Sequence, residues 1–230
     1  ANALRELARA LHGLGRVDET VAAMRAALEI EEHLGGPDHP RVAHLAGNLA
    51  TALREAGELE EAIGLYQRAI SILEATPDAT SPNQGLHYLN LARALHDAER
   101  WNDAEQGYAT AVHKLEIDPN HEPAALLDAL SARGEVLLEL GRLREALEVQ
   151  RAAQAKMLEL PPKPDDARLR RTFAYIVLRG ARLMAASPEP TAATRDAARS
   201  SAQQALDSFK SLHDDEGVTA AEAVLDGLGP

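Results

Sequence analysis

The chain has 230 residues, with 24 Lys plus Arg against 36 Asp plus Glu and a formal net charge of −12. That balance argues against a nucleic-acid binder, whose affinity comes from basic side chains neutralising phosphates, and against docking on an anionic membrane. With no cysteine, disulfides, thiolate metal sites and a cysteine nucleophile are excluded. Hydrophobic residues make up 45% of the chain but aromatic residues only 3%. A core of Ala and Leu suits close-packed helices better than sheets. The opening ANALRELARAL lacks an initiator Met and the pattern of a signal peptide, which fits a piece of a longer protein. No 18 apolar residues run together, and the expected location is cytoplasmic.

In chain order, the first element is a repeat. Gly15, Gly57, Glu99 and Gly141 lie 42 residues apart. Around them run rows of matching residues: Ala8, Ala50, Ala92 and Gly134; Leu11, Leu53, Leu95 and Leu137; Thr20, Ala62, Ala104 and Ala146; Met24, Tyr66, Tyr108 and Gln150; Ala27, Ala69, Ala111 and Ala153. Each unit reads as two helices. The spacing of Leu45, Leu49, Ala52, Leu53 and Ala56 predicts helix A, which Gly57 ends in a left-handed conformation. Leu59, Ala62, Ile63, Tyr66, Ala69, Ile70 and Leu73 predict helix B. The small rows let the two axes approach closely. Neither helix buries its apolar stripe alone, so the pairs are expected to stack.

The connectors mark the boundaries. In GPDHP, Asp38 is expected to cap the next helix A, with Pro40 in its first turn. Pro77 and Pro82, Pro119 and Pro123, and PPKPDD at 161–166 bracket the later units. Residues 1–160 therefore hold four helix pairs. Beyond them the register fails; 161–212 reads as a degenerate fifth pair, and 213–230 as a C-terminal capping helix.

These residues resemble the tetratricopeptide repeat, whose pattern is met by Leu49-Ala50, Leu53, Ala62-x3-Tyr66 and Ala69, and again by Leu91-Ala92, Leu95, Ala104-x3-Tyr108 and Ala111. The 42-residue period and the string LGGPDHPRVAHLAGNLATAL look like the kinesin-light-chain variety. The resemblance implies an all-α fold, a right-handed α-solenoid of stacked antiparallel helix pairs. It also implies a groove of helix A faces that binds an extended peptide or protein segment. Alanine- and arginine-rich repeats of this kind are similar to the sensor arms of bacterial signalling ATPases and transcriptional regulators, so a regulatory arm is the second expectation.

The helix A positions not used for packing give the candidate groove: Arg5, Arg9, His12, His44, Asn48, Thr51, Arg54, Leu86, Asn90, Arg93 and His96. Four arginines there against three acids, Glu6, Glu55 and Asp97, predict a neutral-to-basic end that receives acidic side chains or a carboxylate. The rival reading leaves those arginines solvated or paired along the helix. An amide offers a donor and an acceptor, so Asn48 and Asn90, one repeat apart, are candidates to hold a peptide backbone. Compared with the carboxylate clamp of chaperone-binding relatives, Arg5 and Asn48 match, whereas Arg9, Leu86 and Asn90 depart from it.

Glu32, His33, Asp38 and His39 are the densest potential metal ligands, but their glycines and proline mark a turn, and no metal or other cofactor is expected. Trp101 shares the row of Val17, Leu59 and Leu143 and is expected in the core. No nucleophile–base constellation, P-loop or H-E-x-x-H stands out, so the protein is not expected to be an enzyme. The expected partner is a protein or peptide, acidic in character, with no nucleic acid and no membrane. Leu4, Leu7 and Leu11 at the first repeat are candidates for self-association.

Overall fold

The computed structural model describes residues 1–75, 84–118, 122–160, 166–187 and 190–229. Pro77, Pro82, Pro119 and most of PPKPDD lie outside them. Eleven helices are present among the described residues: α1 Asn2–Gly13, α2 Val17–Gly35, α3 Pro40–Glu55, α4 Leu59–Glu74, α5 Gln84–Asp97, α6 Trp101–Ile117, α7 Pro123–Glu139, α8 Leu143–Glu159, α9 Ala167–Ala185, α10 Ala192–Ser211 and α11 Asp215–Gly227. No described helix is long and apolar enough to cross a membrane. They fall into two compact units, Ala1–His121 and Glu122–Pro230.

In the first unit each helix packs on the next from α1 to α6, and α3 also touches α5. In the second, α7 packs on α8 and α9, α9 on α8 and α10, and α11 on α10 and α9. The segment read as a fifth pair contains α9 and α10, and the segment read as a cap contains α11.

The 42-residue rows are the packing. Ala8, Ala50 and Ala92 are fully buried, as are Ala27, Ala69, Ala111 and Ala153 and Ala62, Ala104 and Ala146. At these points only a methyl fits. A Cβ added to Gly107 would stand 3.0 Å from the Cβ of Ala92, so α5 and α6 are as close there as their backbones permit. The larger row is buried as well: Tyr66, Tyr108 and Gln150 are 0%, 1% and 3% exposed. The tyrosines reach their own helix A. Tyr66 OH lies 2.8 Å from Thr51 Oγ1, and Tyr108 OH 3.3 Å from His96 Nδ1. Gln150 donates instead to the Ile176 carbonyl at 2.6 Å. Its partner helix α9 approaches through Gly180, where a Cβ would come within 3.4 Å of the Gln150 amide nitrogen.

One turn joins helix A to helix B in each of the first four pairs. Gly15, Glu99, Gly57 and Gly141 all have positive φ. The amide of the following residue donates to the leucine row: Arg16 to Leu11, Glu58 to Leu53, Arg100 to Leu95 and Arg142 to Leu137, at 2.8–3.0 Å. This is the Schellman arrangement, which satisfies carbonyls that the helix end would leave open. The same residue then accepts from the first amide of the small row, as Glu58 does from Ala62 at 3.1 Å. The turn recurs once outside the 42-residue register, where His213 has φ 52° and the Asp214 amide donates to the Phe209 carbonyl at 3.1 Å. Asp214 Oδ1 then caps α11 by accepting from the Gly217 amide.

Two sequence expectations change. The N-cap of α3 is His39 and not Asp38: its Nδ1 accepts from the Arg41 amide at 3.1 Å. Pro40 occupies the first helical position, so the residue just before it becomes the cap. Trp101 opens α6 half-buried, with its ring edge against His96 at 5.4 Å between centroids. The rest of its row, Val17, Leu59 and Leu143, opens its helices half-buried as well.

Glu99 is the one member of the turn row that bears a side chain, and a left-handed conformation costs an L-residue about 1–2 kcal/mol. Glu99→Gly is expected to stabilise the protein by roughly 0.5–1 kcal/mol after the added chain entropy of glycine is subtracted, read as a rise in the denaturation midpoint. In the opposite direction, a Cβ on Gly217 would lie 2.3 Å from the Phe209 ring. Gly217→Ala is expected to cost about 1–3 kcal/mol, with loss concentrated in hydrogen-exchange protection of α10 and α11.

Candidate functional site

The candidate residues all fall in the first unit, on α1, α3 and α5. Two cavities open on this face. The larger, about 480 Å3, is walled by Arg5, Glu6, Arg9 and His12 of α1 and by Asn48 and Thr51 of α3, over a floor that includes Thr20 and Met24 of α2. The smaller, about 140 Å3, lies between Arg5, Glu31, Arg41, His44 and Asn48. Arg5 and Asn48 border both.

Three of the predicted basic residues face a carboxylate. Arg9 pairs with Glu6 at 2.6 Å along α1. His12 Nε2 meets Glu55 Oε2 at 2.8 Å, and Arg54 meets Asp97 Oδ2 at 2.7 Å. The last two are one contact repeated: a residue late in one helix A reaches an acid 43 positions on, in the next helix A. Burial alone would lower the pKa of Arg54, but the hydrogen bond and charge of Asp97 outweigh it and raise it. Arg93 donates to Asn90 Oδ1 at 3.0 Å, so the Asn90 carbonyl is engaged within its own helix. Thr51 donates to the Gly47 carbonyl and meets Tyr66 OH.

Two residues stand apart. The side chains of Arg5 and Asn48 are exposed, and neither makes a hydrogen bond or ion pair with any described residue. Leu86 is half-buried in the first turn of α5. His44 is exposed, with its ring 5.9 Å from that of His87.

Sequence reasoning missed Glu31, Arg41 and His87. Glu31 is 6% exposed and faces Arg41 Nε at 2.9 Å. The signal was available, because Glu31 sits one and two periods before Leu73 and Leu115, both fully buried. A carboxylate in a leucine row marks a place where the core opens onto the groove. His87 lies over Gly47, where an added Cβ would be 3.2 Å from its ring. That contact explains a glycine in the row of Arg5, Leu89 and Ser131.

Three of the four residues weighed as metal ligands, Glu32, His33 and His39, have other work. Glu32 accepts from Arg68 at 2.5 Å, His33 Nδ1 lies 2.8 Å from the Glu29 carbonyl, and His39 caps α3. Among the described residues no group of three or more His, Cys, Asp or Glu converges on a point where a metal ion could sit.

A family model described as tetratricopeptide repeat matches residues 1–75 and, overlapping, 46–113. The first three helix pairs are tetratricopeptide repeats. Solved structures extend the likeness in fold to nearly the whole chain. Nearly identical tetratricopeptide-like repeats assigned to a kinesin light chain of Podosopora anserina match with a TM-score of 0.65 and 18% identity, over 94% of this chain and 95% of that one. The apo form of RapI matches with a TM-score of 0.68 and 12% identity, over 98% and 80%. The quorum sensor NprR from B. thuringiensis, in its apo form, matches with a TM-score of 0.62 and 17% identity, over 99% of this chain and 64% of that one. A Rap protein complexed with competence and sporulation factor is also similar, with a TM-score of 0.61 and 14% identity, over 98% and 62%. No curated protein matches the chain significantly.

The His87–His44 pair between the second and third repeats gives a pH test. Burial first, and the facing His44 second, hold the His87 imidazole below its ordinary pKa. A depressed histidine costs nothing above the unfolded value of about 6.5. As pH falls below it the unfolded chain takes up a proton that the folded chain refuses, so stability declines. Thermal unfolding between pH 7.5 and 5.5 is expected to show a falling midpoint that flattens in His87→Gln; an equal slope in both proteins would assign the effect elsewhere.

Proposed function

We propose that the protein is a binding module: the α1–α3–α5 face of the first unit takes an extended peptide or protein segment, without catalysis of its own, in the cytoplasm. The observation that carries this reading is the pair Arg5 and Asn48. They border both cavities, are exposed, and have no polar partner among the described residues. Around them Arg9, His12 and Arg54 each face a carboxylate, which leaves these two as the groups open to a ligand. The Asn48 amide pairs a peptide N–H and C=O whatever the sequence. Arg5 supplies a charge-assisted contact to an acidic side chain or a terminal carboxylate. The expected ligand is therefore acidic despite the chain's net charge of −12. A structural neighbour captured with a bound factor supports ligand binding by this fold.

A second reading keeps the same site and makes it the effector-sensing arm of a larger bacterial regulator. The likeness to the quorum sensor NprR over 99% of the chain favours it. A P-loop or DNA-binding helix pair encoded upstream of Ala1 would select this reading over a free-standing scaffold.

Titration with fluorescein-labelled acidic and basic peptide pools, at low and physiological salt, tests the proposal. Acidic pools are expected to bind more tightly, with the preference shrinking as salt rises. Arg5→Ala is expected to weaken the acidic pool by about 10-fold, and Asn48→Ala to weaken both pools by about 5-fold, magnitudes set by single charged and neutral hydrogen bonds. Equal capture of both pools, unchanged by either variant, would place the site elsewhere. Trp101 is the only tryptophan, and its emission gives a label-free second readout.

A further inference from the structure

We propose that the second unit binds a small free carboxylate with one apolar ring or branched chain, in a cavity between α8, α9 and α10 that is separate from the peptide face. The cavity has a volume of about 260 Å3, below the range of roughly 300–1,000 Å3 usual for drug-sized ligands. It suits a single ring with a short acidic arm. Its walls are Met157 of α8, Phe173 and Val177 of α9, and Leu212 at the end of α10. All four are half-buried, so their apolar surface faces the opening instead of the core. The space exists because α9 and α10 meet through small residues there: Ala174 and Ala205 are 3% and 0% exposed. Met157 belongs to the row of Leu73 and Leu115, which are 2% and 1% exposed. The same position that closes the core in the first unit therefore lines an opening in the second.

Charge selects the sign of the ligand. The first turns of α9 carry Arg168, Arg170 and Arg171. Arg168 is bound to Glu122 at 2.5 Å, and Arg171 Nε to Asp214 Oδ2 at 2.9 Å. Arg170 lines the cavity and has no polar partner among the described residues. No acid is among the residues lining it, which is notable in a chain with 36 Asp and Glu.

The volume of about 260 Å3 favours a free small molecule over a chain end. Ser208 donates to the Gln204 carbonyl at 2.9 Å and Ser211 to the Ser208 carbonyl at 2.7 Å. Both hydroxyl protons are thus spent within α10, which leaves the Gln204 amide as the uncommitted neutral group lining the cavity. The ligand gains apolar burial from the four walls and one charge-assisted contact to Arg170. Sitting between helices of successive pairs, it would also fix the distance between α8 and α10.

Ligand-observed NMR and calorimetry on the full chain test this with 4-phenylbutyrate and its neutral amide. The acid is expected to bind about 10-fold more tightly than the amide, and Arg170→Gln to reduce the acid to the level of the amide, the difference of one charged hydrogen bond. Met157→Trp, at a half-exposed position where the fold is checked by circular dichroism, is expected to abolish binding of both. Equal binding of acid and amide, an Arg170→Gln variant that keeps the preference, or no saturable binding of the acid at millimolar concentration would each overturn the proposal. Tighter capture of a phenylalanine-terminated peptide than of 4-phenylbutyrate would overturn the choice of a small molecule. None of these results depends on Arg5 or Asn48, so peptide binding stands or falls by itself.

Discussion

Close approach of two helices at an alanine is the constraint on which the rest depends. Where Ala50, Ala62, Ala69, Ala92, Ala104 and Ala111 meet their neighbours, exposure falls to zero, and a side chain one carbon longer would separate the axes. Such a core yields less apolar area per residue than one of leucine and phenylalanine, so it works only if contact is tight along the whole helix. The tight turn supplies that. By seating one residue at positive φ and returning the next amide to the leucine row, it starts helix B alongside helix A with no slack. Packing and turn are thus one device, repeated.

The device determines what kind of surface remains. Helix B buries its small rows inside the pair, and the tyrosines anchor it to helix A through Thr51 and His96. Side chains of helix A that are not consumed by these contacts are left on one face. Their neighbours in the next helix A lie within reach, which is why His12 finds Glu55 and Arg54 finds Asp97. Stacking therefore creates a face and neutralises much of it at once. What stays open, at Arg5 and Asn48, is what the stack does not use.

This division also explains how much was legible in the sequence. The rows could be read because burial demands a residue type at every recurrence, and the structure buries them as the period requires. Gln150 and Glu31 were legible as exceptions, each polar where its row is apolar or aromatic, though only coordinates show that Gln150 bonds the Ile176 carbonyl and Glu31 faces Arg41. The pairing of the groove was not legible. A separation of 43 residues has no meaning until the pitch of the stack is known, so His12 and Glu55 looked like independent members of a charge inventory. The cap of α3 failed for a smaller reason: Asp38 and His39 are both able to cap, and only the position of Pro40 decides between them. The cavity beside Arg170 lay beyond the register altogether, since α9 and α10 no longer follow the 42-residue period.

The paired wall does not close the face to acidic ligands. Exposed ion pairs are worth about 0–1 kcal/mol, and Arg9 with Glu6 is 81% and 55% exposed. A ligand carboxylate that displaces Glu6 therefore loses little and leaves a solvated acid behind. Arg54 differs: at 26% exposure, with Asp97 holding it, exchange would strand a partly buried charge. Long-range repulsion from the net charge of −12 is screened within about 8 Å at physiological ionic strength, so the local arrangement governs once contact is made. On the proposed reading, selectivity would arise from a gradient along the face, in which Arg5 is open, Arg9 is exchangeable and Arg54 is committed. An extended acidic segment bound there would gain most where its charges fall on the first two and avoid the third.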